Sequence, residues 1–204
     1  IMLRTYLATR AVSLVRILVA WLAGCLVAAV AIFAYLLDSR PDLSVWHLAD
    51  LDEEFTAASG ITDFEQYLAL EDRLFAQLDE LVYAEVPVAP ENAINRYSRG
   101  SLADPGRWPV NWNRSFELGR EQPAAGVVLL HGLSDSPYSM RTLAQAMHGR
   151  GATVLGLRIP GHGTAPSGLV ETRWQDMAAA VRLAVRHMHE VVGNRPVYLV
   201  GYSN

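Results

Sequence analysis

Residues 17–37, ILVAWLAGCLVAAVAIFAYLL, form an unbroken apolar stretch without a charge. As a helix this run extends about 31 Å, the depth of a bilayer's hydrocarbon core, and it predicts a transmembrane anchor. Arg4, Arg10 and Arg16 precede it, whereas Asp38, Arg40 and Asp42 follow. The basic leading flank predicts a cytoplasmic amino terminus and places the remainder across the membrane, which in a bacterium is the inner membrane with a periplasmic domain. Two rivals stand beside the anchor. A cleaved signal peptide normally has a shorter apolar region of about 7–15 residues. Leu22-Ala23-Gly24-Cys25 is similar to a lipobox, in which Cys25 would be lipidated, yet the four residues after it are all apolar.

Apolar residues in 42–58 and 62–85 recur at helical spacing, through Phe64, Tyr67, Leu68, Leu74, Phe75, Leu78, Leu81 and Val82. The pattern predicts an amphipathic helix capped by Thr62 or Asp63 and stopped by Pro87 and Pro90, with Asp72, Asp79 and Glu80 in water. Packing on the following domain is the expected use of its apolar stripe. A coiled-coil seam is the alternative, and Glu71 interrupts it. Residues 87–123 lose this periodicity and read as a loop with a short strand near 115–118, Trp108 and Trp112 serving as core or edge packing.

Beyond residue 124 the period alternates. Residues 127–130 read as a buried strand, and Ser136-Pro137 as a capped helix start with Leu143, Ala146 and Met147 on its inner stripe. Residues 153–159 make a second strand. Thr172 to Gln175 reads as a capping box opening a helix that runs to about residue 192, with Met177, Val181, Ala184, Val185 and Met188 inward. Residues 196–200 make a third strand, ending in Gly201-Tyr202-Ser203-Asn204. Strands alternating with helices of this length predict a parallel sheet covered on both faces.

Composition sharpens the organisation. The 204 residues are 51% hydrophobic and 19% charged, and the net charge of −4 is unevenly spread. Residues 1–37 carry +3, residues 38–85 carry −11 and residues 86–204 carry +4. The acidic run is read as a solvated face. No block is basic enough to predict nucleic-acid binding. Cys25 is the only cysteine, which excludes a disulfide framework and a thiolate metal site.

In this order and spacing, "VVLLHGLSDS", "RIPGHGTAPSG", "TRWQDM" and "VYLVGYSN" resemble the first half of an α/β-hydrolase of the monoacylglycerol-lipase and carboxylesterase type, over residues 116–204. The expected fold is therefore α/β: the amino-terminal half of an α/β-hydrolase parallel sheet with flanking helices, preceded by a transmembrane helix and a helical segment. The expected divisions are a stub and anchor at 1–37, an acidic helical segment at 38–90 and a partial hydrolase domain at 91–204.

The chemistry follows from the same positions. A serine hydroxyl needs a base to become a nucleophile, and its tetrahedral product needs paired N–H donors for the oxyanion. The strand-to-helix turn predicts Ser203 as nucleophile and the Asn204 N–H as one donor, while the resemblance assigns the second donor to Leu133. Gly201 and Gly132 relieve crowding around that turn. The resemblance implies the order Ser, acid, His, so neither His131 nor His162 is the base. His131 is read as orienting the oxyanion loop, and His162 as part of the turn beside it. His148, His187 and His189 are expected at the surface, and the last two point apart on a helix, which excludes a metal pair.

The expected function is a membrane-anchored serine hydrolase of carboxylic esters, acting on an ester or lipid substrate without metal or organic cofactor. The acid and histidine are expected beyond Asn204, and the 204-residue chain alone is expected to be inactive. A serine peptidase or thioesterase of the same fold is one alternative, and a non-catalytic membrane-tethered scaffold is the other.

Overall fold

The computed structural model describes residues 2–203, with side chains from Ser13 onward. Two compact units divide after Leu43. The first contains a single helix, α1 (Met2–Asp38). Its Ser13–Asp38 stretch has a mean hydropathy of 2.7 and buries none of its surface, so by length and composition it is able to cross a membrane.

The second unit is built on four strands: β1 (Phe116–Leu118), β2 (Ala125–Leu130), β3 (Ala152–Leu157) and β4 (Val197–Gly201). They lie in the order β1-β3-β2-β4. β2 pairs in parallel with β3 and with β4, whereas β1 runs antiparallel to β3. The sheet is thus mixed rather than uniformly parallel. Parallel neighbours need a crossover, which α4 (Arg141–Gly149) and α5 (Trp174–Val192) supply, and β1 has no helix to bring its chain back to the same end.

Alternation along the strands sorts the core into two layers. Val127, Leu129 and Val154 meet Met140 and Ala144 beside α4. Val128, Leu155 and Leu157 meet Ala180, Leu183, Ala184 and Met188 of α5, with Phe64 and Tyr67 of α3 (Phe64–Leu78) in the same layer. Each fully buried side chain of this kind contributes about 1.5–3 kcal/mol. Covering both faces explains why β2 and β3 read as unbroken apolar runs, whereas β4 leaves Tyr198 and Leu199 exposed.

Several local expectations shift. Residues 42–58 form only a four-residue helix, α2 (Val45–Leu48), and then turns. Their acids reach sideways instead: Asp52 accepts from Gln77 Nε2, Glu53 pairs with Arg73 and Glu54 with Arg158. α3 is capped by Asp63, whose carboxylate accepts from the Gln66 N–H at 2.8 Å, but it passes into a π-helical turn at Asp79–Tyr83, and Leu68 is exposed. α4 turns Ala144 inward and packs Met147 against the core but leaves Leu143 and Ala146 exposed, following a 3-10 turn, Pro137–Met140, whose Met140 is buried. Ser136 begins that turn but does not cap it; its hydroxyl donates to Asn113 Oδ1 at 2.7 Å. The cap of α5 falls one residue later than expected, where Asp176 Oδ2 accepts from the Arg173 N–H at 2.9 Å and Thr172 donates to the Gly168 carbonyl. Trp108 is 65% exposed rather than packed, whereas Trp112 meets the edge of Phe116.

The acidic segment is not solely a solvated face. Arg158, just past β3, is fully buried and donates from Nη1 and Nη2 to the two oxygens of Glu54 at 3.0 and 2.9 Å. Glu71, also buried, faces Arg158 Nε at 3.7 Å and accepts from the Ser115 N–H at 2.7 Å. The Tyr67 hydroxyl donates to the Arg158 carbonyl at 2.6 Å. Burial is the largest single influence and alone would lower the Arg158 pKa, yet Glu54, Tyr67 and Glu71 together more than reverse it and hold the guanidinium charged.

Candidate active site at the carboxyl ends of the strands

β2 is the central parallel strand, and the chain leaves it on one side toward β3 and returns on the other as β4. Such a reversal opens a crevice at the carboxyl ends of the strands. Three loops emerge there: His131-Gly132-Leu133 after β2, Arg158 to His162 after β3, and Tyr202-Ser203 after β4.

Ser203 sits at φ +55°, a left-handed conformation that costs a non-glycine residue about 1 kcal/mol or more. Its side chain is exposed at the sheet's end. Gly201 closes β4 opposite Leu130, and the next N–H, that of Tyr202, donates to the Leu130 carbonyl at 3.1 Å. The turn after β4 is therefore tied to the end of β2. Gly132 completes the junction: a Cβ built there would stand 3.0 Å from the Tyr202 carbonyl oxygen and 3.2 Å from Ser203 Cβ. The structure thus places Gly132 beside Tyr202 and Ser203 with no room for a side chain, and the 70%-exposed Leu133 is next in the chain. Asn204 lies outside the described residues.

His131 is buried between two strand ends. Its Nε2 accepts from the Ile159 N–H at 3.1 Å, which leaves the proton on Nδ1 to bond the Gly132 carbonyl at 3.0 Å. Burial is the main reason its pKa falls to about 4; the Gly132 bond opposes the fall and neighbouring His162 adds to it. The neutral ring therefore braces the β2 loop against the β3 loop. His162 stands edge-on to it at 5.2 Å and donates from Nδ1 to the Pro160 carbonyl at 2.8 Å. Its buried Nε2 has no partner among the described residues.

The other histidines lie elsewhere. His148 bonds the Gly119 carbonyl, His187 pairs with Glu117 at 2.7 Å, and His189 is exposed. Among the described residues no group of three or more His, Cys, Asp or Glu is placed to hold a metal ion.

Two residues next to the site escaped the sequence reading. Arg158 Nη1 also donates to the His162 carbonyl at 3.1 Å, linking that loop to Glu54. The one available signal was a charge directly after a fully apolar strand. Asn113 holds the Ser136 hydroxyl from a loop, and no local pattern marks it.

Residues 121–204 match the family model described as serine aminopeptidase, S33. A thermostable monoacylglycerol lipase of Bacillus sp. (strain H-257) is 41% identical over 61 residues, covering 30% of this chain and 24% of the lipase. The chain thus matches about a quarter of that relative's length. A solved structure described under LipS and LipT, two metagenome-derived lipolytic enzymes, shares 29% identity over 46% of this chain and 37% of that chain, at a TM-score of 0.41. Residues 121–204 are thus similar in sequence to that hydrolase family and, over 61 residues, to the lipase, and their parallel strands with crossover helices have the α/β arrangement.

Proposed function

We propose that the chain belongs to a membrane-anchored serine hydrolase of carboxylic esters, lipase- or esterase-like, in which Ser203 is the nucleophile. One observation carries the reading: a serine at φ +55° at the end of β4, beside a glycine that belongs to the loop after the neighbouring parallel strand. Residues 1–37 serve as stub and anchor, 38–90 as an acidic helical segment and 91–204 as the hydrolase part.

In this reading the Ser203 oxygen attacks the ester carbonyl while its proton passes to a histidine oriented by an acid. The carbonyl oxygen becomes the oxyanion and is met by the Leu133 and Asn204 N–H groups. The alcohol leaves with the proton, and water then repeats the sequence on the acyl-enzyme. His131 is unsuited to be the base, because both of its ring nitrogens are occupied.

The test is Ser203→Ala in the full-length protein. Turnover of nitrophenyl esters should fall by about 10⁴-fold or more, and fluorophosphonate labelling should vanish. Ser134→Ala and Ser136→Ala should retain the label. Loss of label in either of those, with Ser203→Ala still reactive, refutes the assignment. Topology is tested by compartment-specific reporters fused after Leu118; a cytoplasmic signal, or release by a carbonate wash, overturns the anchored orientation.

A second reading is peptidase action, favoured by the aminopeptidase description of the matched family. Turnover of aminoacyl nitroanilides without turnover of esters would select it.

A further inference from the structure

A groove of about 370 Å³ lies beside the loop that begins at Gly132, lined by Arg96, Leu102, Trp108, Val110, Trp112 and Tyr138 among others. Its rim is apolar and in water: Leu102 is 71% exposed, Trp108 65%, Val110 46% and Tyr138 48%. Isolated exposed apolar residues are ordinary, but a contiguous set with two indoles marks a surface that meets something. Arg96 lines the groove, the Arg141 guanidinium lies 3.7 Å from the Tyr138 ring centre, and no acid is among the lining residues.

We propose that this groove is a membrane-docking surface, seating Trp108 and Leu102 in the interfacial layer of an anionic bilayer. Three considerations select a bilayer as its occupant. Indole and phenol rings beside aliphatic side chains suit the headgroup boundary, where one end of the ring is dry and the other wet. Arg96 and Arg141 complement anionic headgroups, while the chain's acidic excess lies in residues 38–85. Between the apolar helix, which ends at Asp38, and the unit beginning at Ser44 run only residues 39–43. A link of that length spans at most about 18 Å, so a bilayer holding the helix is within reach of the folded unit. Tyr138 follows six residues after Gly132, the glycine beside Ser203, so docking here would bring that end of the sheet near the lipid surface. The inference rests on the anchored-hydrolase reading and adds the surface by which that hydrolase meets its lipid.

The experiment uses the full-length protein in phosphatidylcholine vesicles containing phosphatidylglycerol. An environment-sensitive nitrobenzoxadiazole label is placed at Trp108→Cys in a Cys25→Ser background. Leu102→Cys provides a second site, and Val170→Cys an exposed control lining a different groove. Native Cys25, labelled in the unmodified protein, reports the span itself. Docking predicts a blue-shifted emission at 108 and 102 that is quenched by shallow doxyl lipids, weakened without phosphatidylglycerol and weakened in Arg96→Gln/Arg141→Gln, with 170 unaffected. If Cys25 is quenched by deep doxyl lipids while 108 and 102 behave as 170 does, docking is wrong and the anchor survives. If Cys25 is not quenched either, both readings fall. A shift at 108 produced by a dispersed long-chain ester but not by vesicles overturns docking and makes the groove a site for one acyl chain.

Discussion

Gly132 lies beside Ser203 where the loop after β2 passes the end of β4, and a Cβ at position 132 would stand only 3.2 Å from Ser203 Cβ and 3.0 Å from the Tyr202 carbonyl oxygen. An alanine there must push the loop or the serine by a few tenths of an ångström. On the proposed assignment the Leu133 N–H is an oxyanion donor, and displacing it costs up to about 10²-fold in kcat, the cost of removing such a donor. Gly132→Ala is expected to lower kcat on a nitrophenyl ester by that amount, with little change in KM and an unchanged melting temperature. Unaltered kcat would show that the contact does not position the donor.

The buried Arg158 makes Glu54 and Glu53 a controlled pair. Glu54→Ala leaves a buried guanidinium without its bidentate partner and should cost about 3–5 kcal/mol in urea unfolding. Glu53→Ala breaks only an exposed pair with Arg73 and should cost less than about 1 kcal/mol. Equal costs would mean that the Arg158 pocket admits water.

His131 supplies a pH dependence. Its pKa falls from 6.5 to about 4 on folding, chiefly through burial. Between those values the unfolded chain binds the extra proton, so stability present at neutral pH is lost as the pH drops through 6.5 toward 4. Unfolding free energies measured across that window should fall with acid, and His131→Gln should flatten the fall by up to one proton's worth of slope. An unchanged slope in the variant would place the titration elsewhere.

Phe116 and Gly156 face each other across the antiparallel pair, and a Cβ at position 156 would land on the Phe116 ring. Gly156→Ala should destabilise by about 1–3 kcal/mol through overpacking. Adding Phe116→Leu should return part of that loss, giving a favourable coupling in a double-mutant cycle. Simple additivity would disprove the contact.

The elements that chain-local pattern determines were legible. β2, β3 and β4 are β-branched and aliphatic runs set off by glycine, proline and polar residues, and α5 was readable to its last residue. What escaped depends on distant partners. β1 is antiparallel because of where it joins the sheet, which three residues cannot encode. α4 follows a 3-10 entry whose serine bonds Asn113 instead of its own helix. At the site, the motif residues fall in loops after strands on sequence grounds alone, but the meeting of Gly132 with Ser203 depends on β2 and β4 being neighbours. Glu71, which looked like a flaw in an apolar stripe, is a buried acid whose partners lie 44 residues onward at Ser115 and farther still at Arg158.

The Arg158 pairing also sets an order of assembly. Glu54 precedes its counter-charge by 104 residues, which at the roughly 5–20 residues per second of translation is a wait of roughly 5–20 s. During that interval Glu71 has no cation until Arg114 emerges, and Phe64 and Tyr67 have no completed sheet to pack against. The segment made first must therefore remain hydrated and dock late, closing over β3 only after the strand and the arginine behind it have left the ribosome.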